Sequence, residues 1–154
     1  MEKCINIICS ACVKNEDKIL MVQENKKEVK NLWDLPGGKL KIDEDVKEAV
    51  IREVLEETGF KINVNSILLI QNYVTNKGVL LILYFNGVLE DKKQLDYREN
   101  EIKNVKWFTI EEMENLPKEN IRGGDGFENI IYNIKNNISY PLEILDIHNY
   151  IKKL

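Results

Sequence analysis

The amino-acid sequence predicts an α/β fold in which helices cover a mixed β-sheet. Three observations support it: strand-like apolar segments occur near the start and in the middle of the chain, a helix with clear start and stop signals separates them, and the last third has helical spacing. Interspersed strands and helices of this kind pack as a layered sandwich. No repeat, low-complexity tract or linker interrupts the 154 residues, so we expect one domain spanning residues 1–154.

Five strands are expected from the apolar segments. Residues 4–13 and 19–23 read as a hairpin joined by a polar turn, and Ile5, Ile7, Cys9, Ala11 and Val13 alternate along one face of the first strand. Residues 66–74 and 79–89 follow the main helix and are separated by turn-forming residues. A last strand is expected near residues 105–109. Residues 24–31, rich in Lys and Glu, are predicted to form a solvated loop.

The main helix is predicted to begin after Asp43 as N-cap and to run to Thr58, where Gly59 supplies a left-handed cap. Glu44 and Asp45 would then place negative charge in its first turn. Pro36-Gly37-Gly38, just upstream, predicts a tight turn. Apolar spacing predicts further helices over residues 110–116, around the stripe Phe127, Ile130, Ile131 and Ile134, and over residues 142–154. We interpret that stripe as core rather than as a binding surface.

The composition limits the partners of the protein. A formal charge of −4 and a pI of about 5.2 give no overall attraction to long nucleic acids, so we expect none as a partner. A small anionic substrate would then need local compensation, for which a divalent cation is the obvious candidate. No basic leader precedes an apolar stretch and no run of about 18 apolar residues occurs. We therefore expect a cytoplasmic protein without a membrane partner.

Three cysteines, Cys4, Cys9 and Cys12, lie near the start of the chain. An odd number argues against a secreted disulfide framework. Cys9 and Cys12 have C-x-x-C spacing, but no second pair follows and the only histidine is the distant His148. Zinc needs four ligands, so strand packing explains these thiols better.

A cluster of glutamates on the main helix is the most informative feature for function. At roughly 100° per residue, Glu53 and Glu57 fall on the apolar, inward arc of the helix and Glu56 borders it. Carboxylates there repel one another and lose hydration unless something positive lies among them. One hard divalent cation would satisfy all three. The alternatives are a solvated acidic face and a surface pair between Arg52 and Glu56.

The spacing around this cluster resembles a known motif. Gly38 is followed by five residues, Glu44, seven residues and then the run Arg52-Glu53-Val54-Leu55-Glu56-Glu57-Thr58-Gly59-Phe60. It resembles a complete Nudix box, in which Gly, Glu, Arg-Glu, an aliphatic residue, Glu-Glu, Gly and a final apolar residue recur at this spacing. The flanking strand order resembles the same family over most of the chain. The resemblance implies the Nudix-type α/β/α sandwich with a mixed sheet.

The resemblance also implies a metal site. Glu53, Glu56 and Glu57 are the implied ligands of Mg²⁺, for which Mn²⁺ is an alternative, and the Gly38 carbonyl often adds another. Arg52 would hold a catalytic glutamate in place. The family hydrolyses phosphoanhydride bonds by attack of water at one phosphorus, which releases a nucleoside monophosphate and a second phosphorylated product.

Other roles are divided between a functional and a structural interpretation. Glu57 is our first choice of general base, and Glu101, in the loop before the last strand, is our second. The structural interpretation of Glu101 is a polar loop residue. Glu99 could take the role of Glu101 instead. Glu44 either orients the ligand shell or only stabilises the helix start.

Two residues upstream of the box are candidate substrate contacts. Trp33 is expected to pack in the core first and to stack on a base second. Lys39 is a candidate phosphate contact, although a lysine beside a turn is usually only solvated.

The resemblance favours, among substrates, a (d)NTP or oxidised nucleotide, as in mutator-type pyrophosphohydrolases that release pyrophosphate. The proline found downstream of the box in many ADP-ribose hydrolases is missing, because Thr75 and Asn76 occupy that region. An ADP-ribose or nucleotide-sugar pyrophosphatase is the alternative. A binding module that holds a nucleotide without cutting it is the alternative of another class, and a decapping-type hydrolase is disfavoured by the negative charge. Many relatives are dimers, so a homodimer is compatible with the resemblance.

Overall fold

The computed structural model describes residues 3–148 as a mixed sheet with helices on both faces. Its strands are β1 (Cys4–Asn15), β2 (Lys18–Glu24), β3 (Trp33–Asp34), β4 (Gly37–Lys39), β5 (Ile62–Thr75), β6 (Gly78–Leu89), β7 (Ile102–Thr109) and β8 (Tyr140–Pro141). Its α-helices are α1 (Val46–Thr58), α2 (Ile110–Glu114) and α3 (Gly126–Lys135), and single 3₁₀ turns span Lys27–Val29, Lys118–Asn120 and Leu142–Ile144. The α/β prediction is confirmed.

The sheet is mixed because its two central strands run parallel. The order is β3-β2-β1-β6-β5-β8, with β4 paired to β1 and β7 paired to β2. The β1–β6 pair is parallel and the other pairs are antiparallel. The short strand β4 places Gly38 opposite Cys9 in the middle of β1. The chain that leads into α1 is therefore anchored at the centre of the sheet.

The two faces of the sheet each carry a hydrophobic cluster. Cys9, Ala11 and Val13 of β1 pack with Val50 and Val54 of α1 on one face. The cluster on the other face joins Cys12 to the predicted stripe of α3, which is buried as expected, and to Met113 of α2.

The cysteine expectation agrees with this packing. All three cysteines are free. Burial raises the pKa of the Cys9 and Cys12 thiols to about 12, so neither is a ready thiolate ligand.

Helix α1 begins two residues later than predicted. Its N-cap is Asp45, not Asp43, because Asp45 forms a capping box with Glu48. Glu44 and Asp45 therefore precede the helix instead of occupying its first turn. The predicted end is confirmed: Gly59 has φ 74° and its N–H donates to the Leu55 carbonyl.

Two other local predictions were wrong. Gly37 and Gly38 do not form a tight turn but the strand β4, with the bend confined to Pro36. The helix predicted over residues 142–154 is replaced by the 3₁₀ turn Leu142–Ile144 and irregular chain to residue 148, while residues 149–154 lie outside the described part. No helix within residues 3–148 is long and apolar enough to cross a membrane.

Candidate active site

Helix α1 carries the predicted carboxylate cluster on its inward side. Glu53 is 7% exposed and Glu57 is 2% exposed, and both lie in the same helix face as Val50 and Val54. Glu56 is less buried. The prediction that these glutamates point inward is confirmed for the first two, and the solvated-face alternative fails for them.

Strand β4 lies directly against these carboxylates. A Cβ built on Gly38 would lie 2.6 Å from both carboxylate oxygens of Glu53, so any side chain at position 38 would displace that carboxylate. The Gly37 N–H donates to Glu57 Oε2 at 2.9 Å. The two glycines thus serve close approach, since neither has a positive φ.

Arg52 ties three glutamates together. Its Nε and Nη2 donate to the two carboxylate oxygens of Glu44 at 2.8 and 2.6 Å, a forked pair. Its Nη1 donates to Glu53 at 2.7 Å and to Glu56 at 3.0 Å. The hydrogen bonds from Arg52 lower the pKa of Glu44. Glu44 is therefore a partner of Arg52 and not a charge in the first turn of the helix.

Among the described residues, Glu57 has no ion pair with a cationic side chain of this kind. Burial raises its pKa to about 8, the negative charges of Glu24 and Glu53 add to the rise, and the Gly37 N–H opposes it. Glu53 and Glu57 supply hard oxygen donors in a buried, electronegative place, which suits a divalent cation chemically. Within residues 3–148 no three such side chains converge on one point, and oxygens of Glu53 and Glu56 are in contact with Arg52 and Arg98.

The loop before β7 contributes Arg98, a residue that the motif did not indicate. Its guanidinium contacts Glu56 Oε2, and its Nη1 donates to Glu101 at 3.3 Å. Lys26 reaches the same oxygen of Glu101 at 3.2 Å. Burial raises the pKa of Glu101, but Lys26 and Arg98 outweigh it and the net shift is downward. Glu101 is thus linked to the box through Arg98.

A cavity of about 730 Å³ opens beside Glu53 and Glu57. Its apolar wall comes from β1 and β6, chiefly Ile8, Leu80 and Ile82. Five cationic side chains line it: Lys26, Lys39, Lys77, Arg98 and Arg122. The volume is that of a pocket for a drug-sized ligand.

Residues 6–128 of the chain match the family model of the NUDIX domain. The chain belongs to the Nudix family. Among curated relatives, the human nucleoside diphosphate-linked moiety X motif 6 protein is 46% identical over 61 residues, 40% of this chain and 19% of the relative. The 8-oxo-dGDP phosphatase of Mus musculus is 30% identical over 58% of this chain and 28% of the relative. The ADP-ribose pyrophosphatase of Methanocaldococcus jannaschii is 39% identical over 36% of this chain and 33% of the relative.

These matched segments cover a third or less of each of the three curated relatives. A solved structure resembles the chain over its length: a NUDIX hydrolase from Nitrosomonas europaea has a TM-score of 0.82 and 26% identity, and the match covers 93% of this chain and 97% of that one. The Nudix fold expected from the box is therefore confirmed.

The two candidate substrate contacts of this Nudix domain lie in different places. Lys39 lines the cavity, and its backbone carbonyl accepts a hydrogen bond from Arg52 Nη2 at 3.2 Å. The Trp33 ring packs edge-on against Phe108 at a centroid distance of 4.9 Å, and the described residues of the cavity wall do not include it. The core interpretation of Trp33 accords with this position.

Sequence reasoning also missed a polar group beyond the box. Glu24, expected in a solvated loop, ends β2 and is 3% exposed. It accepts a hydrogen bond from Arg122 Nη1 at 2.8 Å, and its second oxygen, Oε2, is buried without a hydrogen-bond partner in the described chain. Asp34 lines the cavity nearby, and burial raises its pKa to about 7. Tyr84, also in the cavity wall, has its pKa raised by burial.

Proposed function

We propose that this Nudix domain is a Mg²⁺-dependent pyrophosphohydrolase that cuts a phosphoanhydride bond in a nucleoside diphosphate derivative. The observation that carries the proposal is the burial of Glu53 and Glu57 against β4 in the wall of the cavity. Buried carboxylates without a full complement of cationic partners are costly, and a divalent cation would relieve that cost. The Nudix family generally uses a divalent metal.

Glu53, Glu56 and Glu57 are the side chains that would hold the cation, with the Gly38 carbonyl as a further ligand. Mn²⁺ has similar ligand preferences and would substitute for Mg²⁺. When bound, the cation neutralises charge on the diphosphate. Arg52 positions Glu53 and Glu56 through its guanidinium, and Glu44 holds Arg52 in turn. Lys39, which also lines the cavity, would contact a phosphate.

Glu57 is the proposed general base, with Glu101 as the second choice. A base works best when its pKa lies near the working pH; without a cation, burial raises the pKa of Glu57 to about 8, and a bound cation would lower it from there. Glu101 has the opposite shift and is engaged by Lys26 and Arg98. These properties favour Glu57 for taking a proton from the attacking water.

We further propose a nucleoside triphosphate or oxidised nucleotide as substrate, cut to a monophosphate and pyrophosphate. The likeness to a relative named 8-oxo-dGDP phosphatase supports a nucleotide of this type. The likeness to a relative named ADP-ribose pyrophosphatase supports the alternative. Either substrate is a small molecule, and the cavity has room for one.

The test is product release from a panel of nucleoside triphosphates, oxidised nucleotides, ADP-ribose, nucleotide sugars and dinucleoside polyphosphates, with Mg²⁺ and with EDTA. Wild-type protein should cut at least one with Mg²⁺, and Glu56→Gln and Glu57→Gln should lose that activity. Glu90→Gln, at an exposed position, is the matched control and should retain it. If wild type binds a nucleotide but cuts nothing, the non-hydrolytic sensor alternative replaces this proposal.

A further inference from the structure

The cavity wall also carries polar groups to which the proposed hydrolysis assigns no role. Asp34, Tyr84 and Arg122 are among the residues that line it. Contacts on either side of Asp34 bring the other two close to it. The backbone N–H of Arg122 donates to the Trp33 carbonyl at 3.0 Å. Tyr84 lies opposite Ser10, whose Oγ donates to the Leu35 carbonyl at 3.4 Å. The same cavity has an apolar wall that includes Ile8 and Ile82, against which a flat ring can pack.

Asp34 offers free acceptor capacity to the cavity. The one hydrogen bond of Asp34 among the described residues comes from the Leu35 N–H, which donates to Oδ1 at 2.8 Å. A carboxylate has about four lone-pair sites, so most remain for a ligand. The β2–β3 pairing, with Asp34 opposite Val22, holds the residue at this position.

Arg122 offers free donors beside it. Its Nη1 donates a hydrogen bond to Glu24 Oε1 at 2.8 Å, while Nε and Nη2 have no side-chain acceptor within residues 3–148. Its backbone N–H donates to the Trp33 carbonyl at 3.0 Å, which fixes the segment next to β3. Within the described residues, Glu24 Oε2 is buried without a hydrogen-bond partner, and Arg122 is the one side chain that binds this carboxylate.

A flat ligand that matches this group must present adjacent N–H donors to Asp34 and ring or carbonyl acceptors to Arg122. Guanine does both: N1–H and the N2 amine form a pair of donors, and O6 and N7 are acceptors. Adenine lacks the paired donors, since its N1 is an acceptor. Pyrimidine bases also lack the paired donors, because N3 of cytosine is an acceptor and the N3–H of uracil or thymine lies between two carbonyl groups.

We propose that Asp34 is a specificity-determining residue that selects a guanine base in this cavity by accepting hydrogen bonds from its N1–H and N2 amine, with Arg122 donating to its acceptor edge. This inference rests on the proposed function only in that the diphosphate would lie at Glu53 and Glu57. It names the base class of the substrate.

Calorimetric binding of the monophosphates GMP, IMP and AMP tests the inference without any hydrolysis. IMP is the analogue of GMP whose base lacks the N2 amine, so its binding would lack one of the two hydrogen bonds to the Asp34 carboxylate. Wild type at about pH 8.5, where Asp34 is ionised, should bind GMP about tenfold or more tightly than IMP and AMP. Asp34→Asn keeps the acceptor for the Leu35 N–H and should reduce that ratio to about threefold or less. Asp43→Asn, at an exposed position, is the matched control and should keep the wild-type ratio.

The outcomes separate this inference from the proposed function. Equal binding of GMP and IMP by wild type, or an unchanged ratio in folded Asp34→Asn, overturns the role of Asp34. Selective GMP binding that Asp34→Asn abolishes supports it, even if no nucleotide is cut and the hydrolase proposal falls. Hydrolysis of nucleotides at equal rates for every base would leave the hydrolase standing and contradict the inference.

Discussion

Replacing Gly38 by alanine should disable the site while leaving the fold largely intact. The new Cβ would lie 2.6 Å from both carboxylate oxygens of Glu53. Contact at about 3.5 Å would require the carboxylate to move by about 1 Å. The backbone does not oppose the change, because Gly38 has no positive φ and its nearest obstacle is the end of a flexible side chain.

A displacement of about 1 Å at a catalytic group costs roughly 100-fold in rate. The expected loss in kcat/KM for Gly38→Ala is therefore of that order, with weaker Mg²⁺ binding by calorimetry. The free energy of unfolding should change by less than about 1 kcal/mol, since Gly→Ala at a compatible backbone position is close to neutral. Steady-state kinetics and urea denaturation of the same preparation measure both quantities.

Gly37 is the matched comparison in the same strand. A Cβ there would meet the Cys9 carbonyl oxygen at 2.5 Å and the Ser10 Cα at 2.6 Å, both of which are backbone atoms of β1. Gly37→Ala should therefore lower stability by about 1–3 kcal/mol through overpacking. Wild-type kcat/KM in Gly38→Ala, or a loss of stability equal to that of Gly37→Ala, would refute the argument that Glu53 needs the space.

Three further predictions concern charge and capping. In metal-free protein, burial raises the pKa of Glu57 from its ordinary value near 4.5 to about 8. The folded state therefore holds this proton more tightly than the unfolded state does, so the stability that it contributes is full below about pH 4.5 and is lost as pH rises through about 8. EDTA-treated Glu57→Gln should show a shallower fall of Tm with pH than wild type. Arg52→Lys should lose the forked contact with Glu44 and about 1–3 kcal/mol in urea denaturation, with an unchanged free energy arguing against the network. Asp45→Ala should cost about 1 kcal/mol and Asp43→Ala less than about 0.5 kcal/mol by the same method; the reverse order would contradict the observed cap.

Local patterns were enough to predict the main helix and its inward carboxylates. Glu53 and Glu57 share the arc of Val50, and the period of an α-helix brings them to one face whatever the rest of the chain does. The alternation of Cys9, Ala11 and Val13 likewise placed β1 in the core. These are short-range regularities, and the structure preserves them.

The start of α1 was wrong for a reason that the sequence contains. Asp43 and Asp45 are both good caps, but three residues after Asp43 comes Val46, whereas three residues after Asp45 comes Glu48. Only the second pair closes a capping box, which satisfies two backbone N–H groups instead of one. The position of the glutamate, and not the acidic cluster as a whole, decides where the helix begins.

The side-chain contacts of Glu24, Arg98 and Arg122 could not be predicted from local sequence patterns. Glu24 and Arg122 are 98 residues apart in sequence, and Arg98 reaches Glu56 from the loop before β7. Such contacts depend on strand order and register, which bring β2, β3 and the chain before α3 together. Nothing in the composition of residues 24–31 distinguishes the buried Glu24 from its solvated neighbours.

The most direct test of the hydrolase account is a ³¹P NMR time course of a guanosine triphosphate nucleotide with wild-type protein and Mg²⁺. If the protein is this pyrophosphohydrolase, the triphosphate signals will disappear together as nucleoside monophosphate and pyrophosphate form, and EDTA or Glu57→Gln will stop the reaction. An unchanged triphosphate spectrum despite calorimetric binding of the nucleotide and of Mg²⁺, or equal turnover by Glu57→Gln, would contradict it.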